Sequence, residues 1–182
     1  MPSLRPFVFG KSPRYGDFIS AGLTPAQETA WDGFGAAVMA RARDHWGEAH
    51  ADMHAQAAMW RFALPAGTLA LDGWTIGALC PSMDSVGRLF LLAAGVTGAE
   101  DTTLAASETL ADDAEEALWQ TLINGWDKEA LAATIAEKAA DLPPGAGLRP
   151  RWWTAQGVEN PVIVPDDLFT VLPSPMPDEA NS

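Results

Sequence analysis

The spacing of apolar and polar positions changes several times along the chain, and each change predicts an element. Residues 7–9 are a short apolar strand. The period then lengthens, with Ala30, Trp31, Phe34, Val38, Ala42 and Trp46 on one stripe at helical spacing. Thr24 is placed to cap that helix, Pro25 to sit in its first turn, Gln27 to complete a capping box and Gly47 to end it. Residues 59–64 and 74–80 read as strands closed by Pro65-Ala66-Gly67 and by Pro81. Residues 89–96 are apolar almost throughout, which suits a central strand covered on both faces, and 81–88 read as the loop before it.

Two further helices are predicted over 102–123 and 128–142, separated by Asn124-Gly125 as a stop and Asp127 as a new N-cap. Residues 148–155 and 161–164 read as late strands, with Asp166 capping a short helix over 167–172. Strands and helices interleave without internal repeat. The expected fold is α/β, a single domain over 1–172 with a mixed central sheet and helices on its faces. The Pro- and acid-rich tail at 173–182 is expected to be disordered.

Charge narrows the function classes. The chain has 182 residues and a formal net charge of −13, which repels nucleic acid and anionic lipid and favours solubility or a basic partner surface. No segment approaches the apolar length of a membrane span or a signal peptide, so the expectation is a cytoplasmic protein with no direct membrane insertion. The single cysteine, Cys80, excludes an internal disulfide and reads as a small buried side chain. Eight tryptophans and seven phenylalanines supply a rigid core whose indole N–H groups need acceptors. Between Glu100 and Asp141 stand eleven acids, Asp112, Asp113, Glu115 and Glu116 among them, against Lys128 and Lys138. Such a run is ordinarily a solvated helix face, and here it is also a candidate docking surface.

The sequence carries few catalytic signatures. Gly10-Lys11-Ser12 follows the first strand as in a phosphate-binding loop, but the glycine required five positions earlier is Arg5, and Ser12-Pro13 turns the chain away from a helix. Lys11 is therefore read as incidental. His50 and His54 share a helical face near His45, yet a third ligand is missing and no metal or cofactor is expected. No Gly-x-Ser-x-Gly elbow is present, Ser82 has no histidine partner in sequence, and nothing ranks Asp17, Asp32 and Asp84 as a catalytic carboxylate pair. The charged residues instead sit in aromatic settings: Gly16-Asp17-Phe18, Trp31-Asp32, Trp60-Arg61-Phe62 and Gly87-Arg88-Leu89-Phe90. Charges held near a core must be paired, so Asp17 or Asp84 is expected to bridge Arg88 or Arg61.

Taken in order, the loop with Gly10, Pro13, Gly16, Asp17 and Phe18, the pair Trp31-Asp32, the strand Trp60-Arg61-Phe62 and the stretch with Pro81, Ser82, Asp84, Gly87, Arg88 and Phe90 resemble the TagF family of type VI secretion-associated proteins. The resemblance runs from about Phe7 to Trp152-Trp153-Thr154; Leu89, Met83 and Ser85 depart from it mildly, and the helices over 102–142 match only in character. It implies a cytoplasmic, non-enzymatic accessory protein of Gram-negative secretion machinery with a three-layer α/β/α sandwich. It further implies a post-translational repressor that binds the forkhead-associated scaffold protein and opposes its threonine-phosphorylation-dependent or independent assembly. Some members are fused to a phosphatase domain, for which these 182 residues are expected to have no room. Within the resemblance, 10–18 is the signature loop, with Gly10 and Gly16 allowing the turns and Asp17 fixing it. The alternative is an enzyme or ligand-binding domain with a pocket where Asp17, Asp84, Arg61 and Arg88 converge.

Overall fold

The computed structural model describes residues 4–173; apart from Pro173, the expected tail lies outside the described residues. The strands are β1 (Arg5–Gly10), β2 (Ile19–Ala21), β3 (Trp60–Leu64), β4 (Trp74–Met83), β5 (Leu89–Ala99), β6 (Arg151–Trp153) and β7 (Glu159–Asn160). They form one sheet in the order β2-β1-β5-β4-β3-β6-β7. The helices are α1 (Pro25–Trp46), α2 (His50–His54), α3 (Leu104–Asn124) and α4 (Lys128–Ala139), with 3-10 turns at Gly47–Ala49, Thr68–Ala70 and Leu168–Thr170. No helix among the described residues is long and apolar enough to cross a membrane.

Every strand pairing among the described residues is antiparallel, which corrects the expectation of a mixed sheet. The unbroken apolarity of β5 comes from cover on both faces, and cover does not depend on the direction of the neighbouring strands. The loop expected over 81–88 is also shorter than predicted. β4 runs through Pro81 to Met83, paired with β5 at Pro81↔Leu91 and Met83↔Leu89. Pairing of β3 with β4 stops at Leu79, so Pro81 stands where β4 has a neighbour on one side only, a position that tolerates a residue without an N–H. What remains is a tight turn: Asp84 N–H donates to the Arg88 carbonyl at 3.1 Å, Gly87 N–H to the Asp84 carbonyl at 3.1 Å, and Gly87 takes a φ of +85°.

The start of α1 follows its local sequence. Thr24 Oγ1 accepts from Gln27 N–H at 3.2 Å, and Gln27 Oε1 accepts from Thr24 N–H at 2.9 Å, with Pro25 in the first turn and Gly47 as C-cap. Trp31, Phe34, Val38, Met39 and Ala42 on this helix pack against Phe7, Phe9, Trp60, Phe62 and Leu64, which alternate out of one face of the sheet. The rings form a continuous run: Trp31 lies 5.4 Å from Phe7, 5.8 Å from Phe34 and 5.7 Å from Phe62, and Phe62 lies 4.9 Å from Trp152. Each large side chain buried this way contributes about 2–3 kcal/mol relative to exposure.

On the opposite face the side chains are mostly aliphatic, with many alanines. Val8, Ala63, Ile76, Ala78, Cys80, Leu92, Ala94 and Val96 meet Leu110, Ala111, Ala114, Ala117 and Leu118 of α3 and Leu131, Ile135 and Ala139 of α4. Alanine on both sides lets α3 lie close to the sheet. Gly125 ends α3 in the left-handed region, and Asp127 Oδ1 accepts from Ala130 N–H at 2.7 Å to start α4, as the spacing predicts.

The late elements differ from expectation. Residues 161–164 form no strand; they lie exposed beyond edge strand β7, bracketed by Pro161 and Pro165 and tied back through the Trp152 Nε1–Ile163 carbonyl bond at 2.9 Å. The expected helix over 167–172 is the 3-10 turn Leu168–Thr170, and Asp166 faces Arg41 at 3.9 Å instead of capping it. Of the indole groups, Trp46, Trp60 and Trp152 donate to backbone carbonyls, while Trp31 Nε1, enclosed by rings, has no partner among the described residues.

Candidate functional site

β1 ends at Gly10, whose φ is +134°; a Cβ there would lie 2.1 Å from the Leu91 carbonyl oxygen, so glycine is required where the chain leaves the sheet against β5. The loop that follows is fastened to the β4–β5 turn at several points. Lys11 N–H donates to the Leu91 carbonyl at 2.9 Å, Ser82 Oγ to the Lys11 carbonyl at 2.7 Å, Ser85 N–H to the Tyr15 carbonyl at 2.8 Å, and the Arg88 guanidinium to the Gly16 carbonyl at 2.8 Å.

Asp84 is the centre of this arrangement, its side chain wholly buried. Its Oδ1 accepts from Arg88 N–H at 2.9 Å and Val86 N–H at 3.1 Å, while Oδ2 accepts from Arg88 Nε at 2.6 Å and faces Lys11 Nζ at 3.5 Å. Burial on its own pushes the Asp84 carboxyl up; the Arg88 N–H and guanidinium, with the Val86 N–H, outweigh it and hold the group at about 2. Asp84 and Arg88 thus form one of the expected bridges.

Lys11, read as incidental, is part of the same cluster. Its ammonium lies 4.9 Å from the Phe18 ring centre and 5.9 Å from that of Phe90, two rings in edge contact at 5.1 Å. The signal was present in the sequence, because alternation continued two residues past Phe9 carries Lys11 to the aromatic side of the sheet. Phe90 in turn presses on α1 at Gly35, where a Cβ would lie 2.3 Å from the ring.

The other site residues are distributed more widely. Pro13, Gly16 and Asp17 are exposed in the loop, Asp17 Oδ1 accepting from Phe18 N–H at 2.8 Å, and Gly87 is exposed in the turn. Trp31, Trp60 and Phe62 belong to the aromatic core, and Asp32 is exposed on α1. Arg61 does not converge with Asp84. It rises from β3 on the α3 side and donates to Asp112 at 2.7 Å and Glu115 at 2.9 Å. Arg151 of β6 likewise reaches Glu108 at 2.8 Å. Part of the acid of α3 therefore fastens the helix to arginines of the sheet.

Three contacts escaped the sequence reading because both ends are distant in the chain. Tyr15 Oη accepts from Lys128 N–H at 3.0 Å and the Arg14 guanidinium donates to the Gly125 carbonyl at 2.9 Å, joining the loop to the α3–α4 junction. His54 is buried on α2, its Nε2–H donating to the Ser82 carbonyl at 2.8 Å and its ring edge-on to Phe169. Burial lowers the His54 pKa; the Ser82 bond opposes this, neighbouring His50 adds to it, and the Phe90 backbone opposes it. Among the described residues no group of three or more histidine, cysteine or acidic side chains is arranged to hold a metal.

Cavities lie elsewhere. One of about 320 Å³ is bounded by Leu4, Gly98 and Pro143, and one of about 390 Å³ lies between α3 and the ends of β3 and β4; Asp17, Asp84 and Arg88 line neither. The Asp84 cluster is a filled junction between two loops.

The family model described as TagF N-terminal domain, Type VI secretion system-associated, matches residues 8–138. A crystal structure of PA0076 from Pseudomonas aeruginosa PAO1 is similar with a TM-score of 0.65 at 24% identity, covering 92% of this chain and 92% of that one, a likeness of fold. Among curated proteins none matches the sequence.

Proposed function

Because the chain belongs to the TagF N-terminal domain family of type VI secretion system-associated proteins, we propose that it is a non-enzymatic cytoplasmic accessory protein that restrains secretion post-translationally by binding the forkhead-associated scaffold protein of the apparatus. Helix α1 packs on one face of the sheet and α3 and α4 on the other, which supports this reading. The observation that carries the proposal is the saturation of the Asp84 cluster. A carboxylate that already holds two N–H groups, a guanidinium and an ammonium has its acceptor positions taken, and its depressed pKa suits a fixed anion better than a group that exchanges protons. Sequestering a scaffold requires complementarity of surface and no stabilised transition state.

The test is co-purification with the forkhead-associated protein of the same secretion cluster, followed by calorimetric titration. A saturable complex near one-to-one supports repression by sequestration. Absence of heat at about 50 μM of each protein, the weak end of specific association, refutes it.

A further inference from the structure

The outward face of α3 changes character along its length. Asp112 and Glu116 are exposed acids in its middle turns, and Trp119 and Ile123, at 50% and 57% exposure, follow at spacings of three and four that keep them on one face. Beside Trp119 lies the groove of about 390 Å³, whose floor and walls include Met59, Cys80, Pro81, Leu122 and Glu115. A large aromatic side chain half in water at the lip of a groove that mixes apolar side chains with Gln56, Glu115 and Gln156 is a surface suited to an amphipathic partner.

Charge indicates what covers it. Arg61, the cation beside this face, is largely buried and already engaged by Asp112 and Glu115, which leaves exposed Glu116 and the unshared capacity of Asp112 as net negative charge beside the groove. The occupant that fits is cationic and apolar. From Asp112 to Ile123 the face extends about 16 Å, roughly three turns of a partner helix.

We propose that this face docks a basic amphipathic segment of the scaffold protein, with an apolar side chain in the groove against Trp119 and lysines or arginines over Asp112 and Glu116. The identity of the partner rests on the scaffold-binding function proposed above; the chemistry of the occupant does not.

Two titrations separate the two claims. The scaffold protein is titrated into the full chain and into the Trp119→Ser/Ile123→Ser double variant. Both positions are exposed, so melting of the free chains should agree, and affinity should fall at least about thirtyfold, as expected when central aromatic anchors are lost. Glu116→Lys should weaken binding and flatten its salt dependence. Separately, a synthetic fourteen-residue leucine–lysine helix is titrated while the Trp119 indole and Ile123 methyl resonances are followed; salt-sensitive shifts that vanish in the double variant are expected. Equal scaffold affinity for wild type and double variant overturns the docking face and leaves the scaffold function standing. No scaffold binding with clear peptide shifts refutes the function and supports the face, and silence in both refutes both. A second copy is the occupant instead if the wild type dimerises in sedimentation and the double variant does not. The chain's own C-terminal segment is the occupant if Met176 contacts Trp119 in the free protein.

Discussion

Replacing Gly35 with alanine should destabilise the fold, whereas the same change at Gly33 should stabilise it. Both residues lie in the interior of α1, where alanine is favoured over glycine by about 1 kcal/mol. Nothing lies within 4 Å of a Cβ at Gly33, so that gain is kept. At Gly35 the Cβ would fall 2.3 Å from Phe90 Cζ and 2.9 Å from Cε2, and the ring must retreat by about 1 Å to restore an ordinary contact. The retreat is opposed by Phe18 at 5.1 Å and Phe9 at 6.5 Å, with Lys11 above. Overpacking of a ring held on several sides costs about 2–3 kcal/mol, so the net loss is about 1–2 kcal/mol. In urea unfolding the midpoints of the two variants should move in opposite directions at constant slope. Phe90→Leu in the Gly35→Ala background should recover about 1 kcal/mol of coupling. A Gly35→Ala protein as stable as Gly33→Ala would show that the ring moves freely, and would remove the argument that the Lys11–Phe18–Phe90 cluster is rigid.

Asp84 has a depressed pKa in the folded state, so its contribution is complete above about pH 4 and disappears as pH falls toward 2; Asp84→Asn should lower the urea midpoint at pH 7 and flatten its dependence below pH 4, and an unaltered acid limb would refute this. His54 has a lowered pKa, so the unfolded chain takes up its proton first as pH falls below about 6.5, and wild-type stability should decline from pH 7 to 5. His54→Gln should flatten that limb, and an equal slope in both proteins would place the titrating group elsewhere. Burial pushes the Cys80 thiol up to about 12; it should resist an aromatic disulfide reagent in the native state and react within seconds in urea, and native-state reaction at the unfolded rate would contradict its placement.

What could be read in the sequence was local. Thr24, Pro25 and Gln27 announce α1 because capping is settled within four residues, and Gly125 and Asp127 mark the α3–α4 junction for the same reason. The Asp84–Arg88 bridge was legible because both ends belong to one turn. The direction of the strands was not, since pairing joins residues such as Arg61 and Trp153 across half of the chain. β2 was missed because three residues of edge strand carry too little pattern. The partners of Arg61 were misjudged for a related reason: which face of β3 it leaves from is decided by the register with Ala78, and α3 comes into reach only after folding.

Ala111, Ala114 and Ala117 are all but inaccessible between α3 and the sheet. They act as spacers whose thickness sets how far the helix stands off, and so the width of the groove beside Trp119 and the reach of Arg61 to its carboxylates. A single added methyl at one of them would lift the outer surface without altering any residue on it. A lineage can therefore retune what this face accepts through positions no partner touches, and a mutational scan confined to solvent-exposed residues would overlook them.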